Sequence, residues 1–304
     1  LSLYQIPHAY TVGIVLGMIC GIVTRLLLLR TDYRQYPTYP HGSVIHLSLG
    51  VIAAALGSVA VPAFFSKDFT AITFLTLAAQ QFRDVRKMER ETLTRIDEQE
   101  LVPRGAAYIE GIAMVFEGRN YLVILSAFAT CMFAVAVSWQ AGIAAGIASV
   151  LVARRLRSGR QLAHIVNIEA AEVGLEGPDL YVGDIYIMNI GLESSRKAIR
   201  ERGMGLVLTP VNPNARATIA NLGQRQAILY DLSTLLGVYR DTGEPALVPL
   251  AKLDMGSGRL GVFFLPLERD AARAAAVAAR VPILETAVRM PTEAPGRSGE
   301  RSRS

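Results

Sequence analysis

Cysteine is almost missing from this 304-residue chain: Cys20 and Cys131 are the only two, and both sit inside apolar runs. That argues against a disulfide framework and a cysteine-based metal site. Charge is also scarce. Only 19% of residues are Asp, Glu, Lys or Arg, against 51% hydrophobic, and mean hydropathy is +0.33. This balance excludes a disordered chain and is too apolar for an ordinary soluble globule. No GxxxxGK(S/T) segment occurs, which excludes a P-loop ATPase, and no G-x-S-x-G elbow is present. The four histidines, His8, His41, His46 and His164, lack metal-ligand spacing with a Cys or carboxylate. His41 and His46 stand at the edge of an apolar run and read as interfacial. No metal and no cofactor are expected. Nucleic acid is a poor partner for a net charge of only +5. Arg154, Arg155, Arg157 and Arg160 more simply face anionic lipid.

What the chain does have is long uncharged runs, and they lie in its first half. A bilayer core needs about 20 apolar residues per helix. Residues 10–29, 44–65 and 121–139 each supply a span. Residues 140–156 follow closely and end in arginines whose stems can snorkel. Residues 69–82 are uncharged but short, and Ser66-Lys67-Asp68 separates them from the second run. With all five crossing, the positive-inside rule puts the basic loop 83–120 and the C-terminal half in the cytoplasm. A four-span alternative lays residues 69–82 flat on the membrane. The expected fold is therefore an α-helical membrane bundle of about five transmembrane helices over 1–157, with a cytoplasmic helical loop at 83–120. The lipid bilayer is its first partner.

Gly13, Gly17 and Gly21 recur on one face of the first run, and Gly142 and Gly146 repeat the spacing in the last. Bare Cα atoms let helices approach closely. Packing within one bundle is the plainer reading, and a homo-oligomer through the glycine face is the alternative. Beyond residue 82 the helix should continue as a solvated stalk, with Val85, Met88, Thr92 and Ile96 as a narrow apolar stripe.

Residues 105–120 read GAAYIEGIAMVFEGRN. The segment is too charged to span alone and too apolar for an open loop, so an interfacial or re-entrant helix is expected. Glu110 and Glu117 share a helical face. A carboxylate at membrane depth needs a partner, and Arg104 or Arg119 can supply one. On the residues alone, a surface helix with solvated glutamates is the plainer reading.

Tyr108-Ile109-Glu110-Gly111-Ile112-Ala113 resembles the hexapeptide that names the YIEGIA family of membrane proteins from spore-forming Firmicutes. The surrounding layout is similar to that family over roughly residues 10–290. It includes the membrane helices, the basic loop and the runs LYVGDIYIMNIG and LGQRQAILYDLSTLLGV. The resemblance implies a membrane setting, a link to sporulation and a small partner described as a capping-complex subunit. It carries over no biochemical activity.

From about residue 158 the pattern changes. Residues 184–190 read as a central strand, 193–202 as a helix, 205–209 as a buried strand and 214–237 as a helical stretch broken at Gly223. Residues 246–254 and 259–267 form a hairpin, 270–280 an Ala-rich helix and 282–289 a short one. Strands alternating with helices predict a small cytoplasmic α/β domain with a mixed sheet over 158–290. Residues 291–304 read as a disordered tail. The GxGxxG at 256–261 lies between strands and reads as a turn, not a dinucleotide fingerprint. Asp179, Asp184 and Asp231 are the carboxylates that can gather near the sheet. With no catalytic constellation, the expected role is a non-enzymatic structural or assembly component linked to sporulation, with a partner-docking cytoplasmic domain. The alternative is a transporter or channel subunit with Arg25 and Glu110 near a polar pathway.

Overall fold

The structure is a computed structural model. It describes residues 8–32, 42–156, 160–239 and 247–290. The tail at 291–304 lies outside the described residues. The chain divides into two compact units: residues 1–91 with 112–158, and residues 92–111 with 159–304.

The first unit is helical. α1 (His8–Asp32), α2 (Gly42–Phe65) and α4 (Ala106–Ala136) are long and apolar enough to cross a membrane. α3 (Phe69–Asp97) and α5 (Trp139–Leu156) stand at the two remaining expected places. α3 becomes heavily charged after its first half, and α5 has only 18 residues with Arg154 and Arg155 in its last turn.

The breaks between helices have local causes. α2 ends after Pro62, whose carbonyl accepts the Ser66 amide at 2.8 Å. Lys67 then takes a positive φ of 52°. Asp68 starts α3 by accepting the Ala71 amide at 3.0 Å, which satisfies an otherwise orphaned donor. Ser138 does the same for α5 through Ala141 N at 3.2 Å.

Two sequence expectations change here. Residues 106–120, expected as an interfacial or re-entrant helix leading into the third long run, are the first half of one unbroken 31-residue helix, α4. Gly111 and Gly118 cost helix propensity, but neither removes a hydrogen bond, so the helix passes through both. The stripe on α3 is also not the expected one. Met88 is exposed, and the buried positions are Phe82, Glu89, Leu93 and Asp97. They share the helical spacing, displaced by about one residue.

The second unit holds two antiparallel sheets. One has the order β1 (Val166–Ala171), β5 (Met204–Pro210), β7 (Leu260–Phe264), β6 (Leu250–Leu253). The other is β2 (Val173–Glu176), β3 (Asp179–Val182), β4 (Ile185–Asn189). Leu180, Val182, Ile185, Ile187, Val207 and Phe263 form the shared core. The predicted mixed sheet is not found: among the described residues every strand pair is antiparallel. The reason is the route of the chain. α6 (Glu193–Arg202) connects β4 to β5, which lie in different sheets, so that crossover makes no parallel pair. Nor is 184–190 a central strand. β4 is at the end of its sheet and alternates, with Ile185 and Ile187 buried and Tyr186 and Met188 exposed.

The expected helical stretch from 214 is two helices, α7 (Pro213–Ala220) and α8 (Leu222–Leu236). The break falls at Asn221, not Gly223. Asn221 ends α7 in an extended conformation and caps α8 by accepting Gln224 N at 3.1 Å. α9 (Ala271–Arg280) completes the unit, its start capped by Asp270. The 256–261 glycines lie in the β6–β7 turn, where Asp254 accepts the Gly256 and Ser257 amides at 3.1 and 3.2 Å.

Candidate functional site

The hexapeptide begins inside the second unit. Asp97, at the end of α3, accepts the backbone amides of Arg104 (2.6 Å) and Gly105 (3.0 Å) and so closes the loop leading into α4. Gly105 has φ +87°, a conformation that suits glycine. The Arg104 side chain is buried. Its Nη1 lies 3.5 Å from Glu100 and 3.8 Å from Asp97, and its guanidinium stacks 3.8 Å above the Tyr230 ring. It also donates to the Tyr230 hydroxyl.

α8 supplies the other wall through residues at helical spacing. Gly223 lies so close to the Ala107 carbonyl that a Cβ there would be 2.9 Å away. Gln226 packs on Gly105 and accepts the Tyr108 amide at 3.1 Å. Tyr230 holds Arg104. Positions i, i+3 and i+7 fall on one helix face, so a single stripe of α8 grips the start of α4. Gly111 leaves room for Thr286, whose Oγ1 would be 2.7 Å from an added Cβ. Asp231, half-buried next to this stripe, is pushed up to about 6 by burial, against the opposing pull of Arg104.

Within the motif Tyr108, Ile109, Gly111, Ile112 and Ala113 are buried and Glu110 is half-buried. The three carboxylates expected near the sheet do not gather. Asp179 accepts from Asn189 and Asp184 pairs with Arg259, while Asp231 lies beside the motif.

A second polar cluster lies in the first unit. Arg25 of α1 is 0% exposed, and its Nε donates to the His46 carbonyl at 3.2 Å. Its methylenes cover Gly50, and its guanidinium lies 5.1 Å from the centre of the Phe116 ring. His46, 1% exposed, places Nε2 3.3 Å from the Glu89 carboxylate. The imidazole also packs against Phe116, with ring centres 4.7 Å apart. Glu89 is 6% exposed. Arg119 donates to the Leu28 carbonyl at 3.1 Å, and Glu117 pairs with Arg86 at 3.1 Å. Buried charges of this kind are expensive unless paired and hydrogen-bonded. Four helices therefore spend their burial on one polar group of side chains.

The sequence found some of this arrangement. Arg104, Glu117 and Arg119 are all engaged; the Arg104 side chain turns to Asp97, Glu100 and Tyr230. The glycines do sit at helix contacts. A Cβ on Gly13 would be 2.7 Å from Val135 Cγ2, on Gly17 2.5 Å from Ser58 Oγ, and on Gly21 2.6 Å from Ala54 Cβ. One on Gly142 would be 2.5 Å from Ala134 Cβ, and one on Gly146 3.2 Å from Thr130 Oγ1. The sequence missed His46, read as interfacial, and Glu89, read as part of a solvated stalk. It also missed the α8 stripe, whose signal was the polar Gln226 and Tyr230 at helical spacing in an apolar run.

A helical unit with three membrane-length helices, together with a second unit of two small antiparallel sheets and short helices, defines a class of multi-helix membrane protein. The family model described as YIEGIA protein matches residues 13–294, and the chain belongs to that family. It is 55% identical over 284 residues to "Uncharacterized protein YphB" of Bacillus subtilis (strain 168), covering 93% of this chain and 96% of that one. No solved structure matches.

Proposed function

We propose that this chain is a non-enzymatic, multi-pass membrane component of an assembly formed during sporulation, with its second unit in the cytoplasm as a docking module. The observation that carries this reading is the use made of the hexapeptide. Its buried side chains fill core, its first amide is held by Gln226, and Gly111 makes room for Thr286. A family signature spent on packing supports a protein that works by presenting surface. The second unit leaves Leu192, Val248, Met255 and Leu267 each more than half exposed, as apolar contacts for a partner. The family setting favours a capping-complex subunit in that place. Disrupting the relative in Bacillus subtilis should lower spore yield, and expressing this chain should restore it and capture the same small partner. Normal sporulation in the disrupted strain would remove the reading.

The same proposal includes five spans with α3 and α5 crossing. Single cysteines at Ser2 and Lys67, in a background lacking Cys20 and Cys131, should react with an impermeant thiol reagent in intact cells. One at Glu98 should not. Protection at Ser2 would instead favour a flat first half of α3.

A transporter or channel subunit is the second reading. The buried Arg25–His46–Glu89 group favours it, since intramembrane ionisable residues commonly mark ion or substrate routes. Solute or ion flux in proteoliposomes that is lost in Glu89→Gln would support this reading over the first.

A further inference from the structure

We propose that His46 and Glu89 form an internal proton-binding site in the membrane unit, supplied by water held near Asn120 and Thr24. This goes beyond any role in assembly and does not depend on it. The two side chains come from different helices, are almost wholly buried and stand 3.3 Å apart. One proton fits between them: it leaves a water as H⁺, bonds to imidazole Nε2 or to a carboxylate oxygen, and returns by the same route. No bond other than N–H or O–H forms or breaks.

The water has its own evidence. Asn120 is 1% exposed, and neither its amide nitrogen nor its oxygen has a hydrogen-bond partner among the described residues. The buried Thr24 hydroxyl is in the same position. Buried polar atoms of this kind are normally satisfied by ordered water. Asn120 is one helical turn beyond Phe116, on the face of α4 that meets Arg25 and His46. Thr24 adjoins Arg25 in the chain. Gly21 meets Ala127 while Arg119 reaches the Leu28 carbonyl, so Thr24 falls about one helical turn from Asn120 along the α1–α4 contact.

The surrounding charges determine how tightly the proton binds. α1 brings Arg25, bonded to the His46 carbonyl; α3 brings Glu89, and Arg86 paired with Glu117 of α4. α4 also brings Arg119, and α5 carries Arg154 and Arg155, both exposed, in its last turn. With His46 neutral, Arg25 and Glu89 cancel, and proton uptake leaves the trio at +1. Glu89 favours uptake and Arg25 opposes it, so removing each must act in opposite directions.

The test is a pH titration of ring-labelled histidine by NMR in the purified full-length protein, with the His46 signal assigned by its loss in His46→Gln. In the parent, the His46 ring signals should respond reversibly to pH. Glu89→Gln and Arg25→Gln should change that response in opposite directions. Asn120→Leu should slow exchange of the His46 ring proton with bulk water. A parent His46 whose ring signals do not respond to pH overturns the proposal without any variant. So does a response that stays unchanged in folded Glu89→Gln and Arg25→Gln, which would make the pair a static clamp between α2 and α3. Unchanged exchange in Asn120→Leu overturns the water supply.

Discussion

Asp231 ties the surroundings of the motif to pH. Burial raises its carboxyl from the ordinary value of 3.8 to about 6. A raised carboxyl means the fold holds the proton more tightly than the unfolded chain does. The stability it contributes is therefore complete below about pH 4 and is lost as pH rises through about 6. Asp231→Asn should melt higher than the parent at pH 7, by about 3 kcal/mol in stability, with the difference vanishing as pH falls below about 4. Melts at three pH values check this, and parallel curves would place Asp231 in contact with water. At this scale the sequence was legible only in part. Asp231 was named only with Asp179 and Asp184 as a carboxylate that can gather near the sheet, and Arg104 as a possible partner for a glutamate. Glu89 looked like its charged neighbours on a stalk. What singles it out is His46, 43 positions away, and no local pattern records such a partner.

Helices carry a sharper contrast between glycines. Gly17 faces Ser58 Oγ at 2.5 Å and the Ala127 carbonyl at 2.7 Å from an added Cβ, so a side chain there must push α1 away from backbone. Gly118, in the interior of α4, has nothing within 4 Å of an added Cβ. Gly17→Val should destabilise the detergent-extracted protein by about 1–3 kcal/mol, through overpacking. Gly118→Ala should stabilise it by up to about 1 kcal/mol, because alanine loses less backbone entropy and nothing obstructs it. Thermal melts of the two variants should move in opposite directions. The GxxxG spacing revealed the first glycine from sequence alone. It could not say which neighbour each glycine meets, nor that α4 runs through the hexapeptide. Gly111 and Gly118 lie inside that helix, and the tertiary contacts of Tyr108, Ile112 and Phe116 outweigh their modest propensity cost.

For the whole molecule, the division of the chain is discontinuous. Residues 92–111 belong with the C-terminal unit, in which Arg104 stacks on Tyr230 and Gln226 holds the Tyr108 amide. A fragment of residues 160–290 should therefore melt below one in which residues 92–111 are tethered to it. The difference should be about 2–4 kcal/mol, the cost of uncovering a buried aromatic and unpairing buried polar groups. Equal melts would mean that the segment contributes nothing to the unit.

By itself the sequence determined the membrane character of the first half, the places of its helices, the glycine contacts and the α/β composition of the second half. These follow from hydropathy, helical period and turn chemistry, which act over a few neighbouring residues. Tertiary structure decided the rest. The antiparallel sheets depend on which strands the crossover at α6 separates. The membership of residues 92–111 depends on the α8 stripe. The Arg25–His46–Glu89 group depends on α1 and α2 meeting Phe116 of α4 and on α3 bringing Glu89 to His46. Each of these is a contact between positions far apart in the chain, and its energy comes from burial and pairing that exist only once the elements have packed.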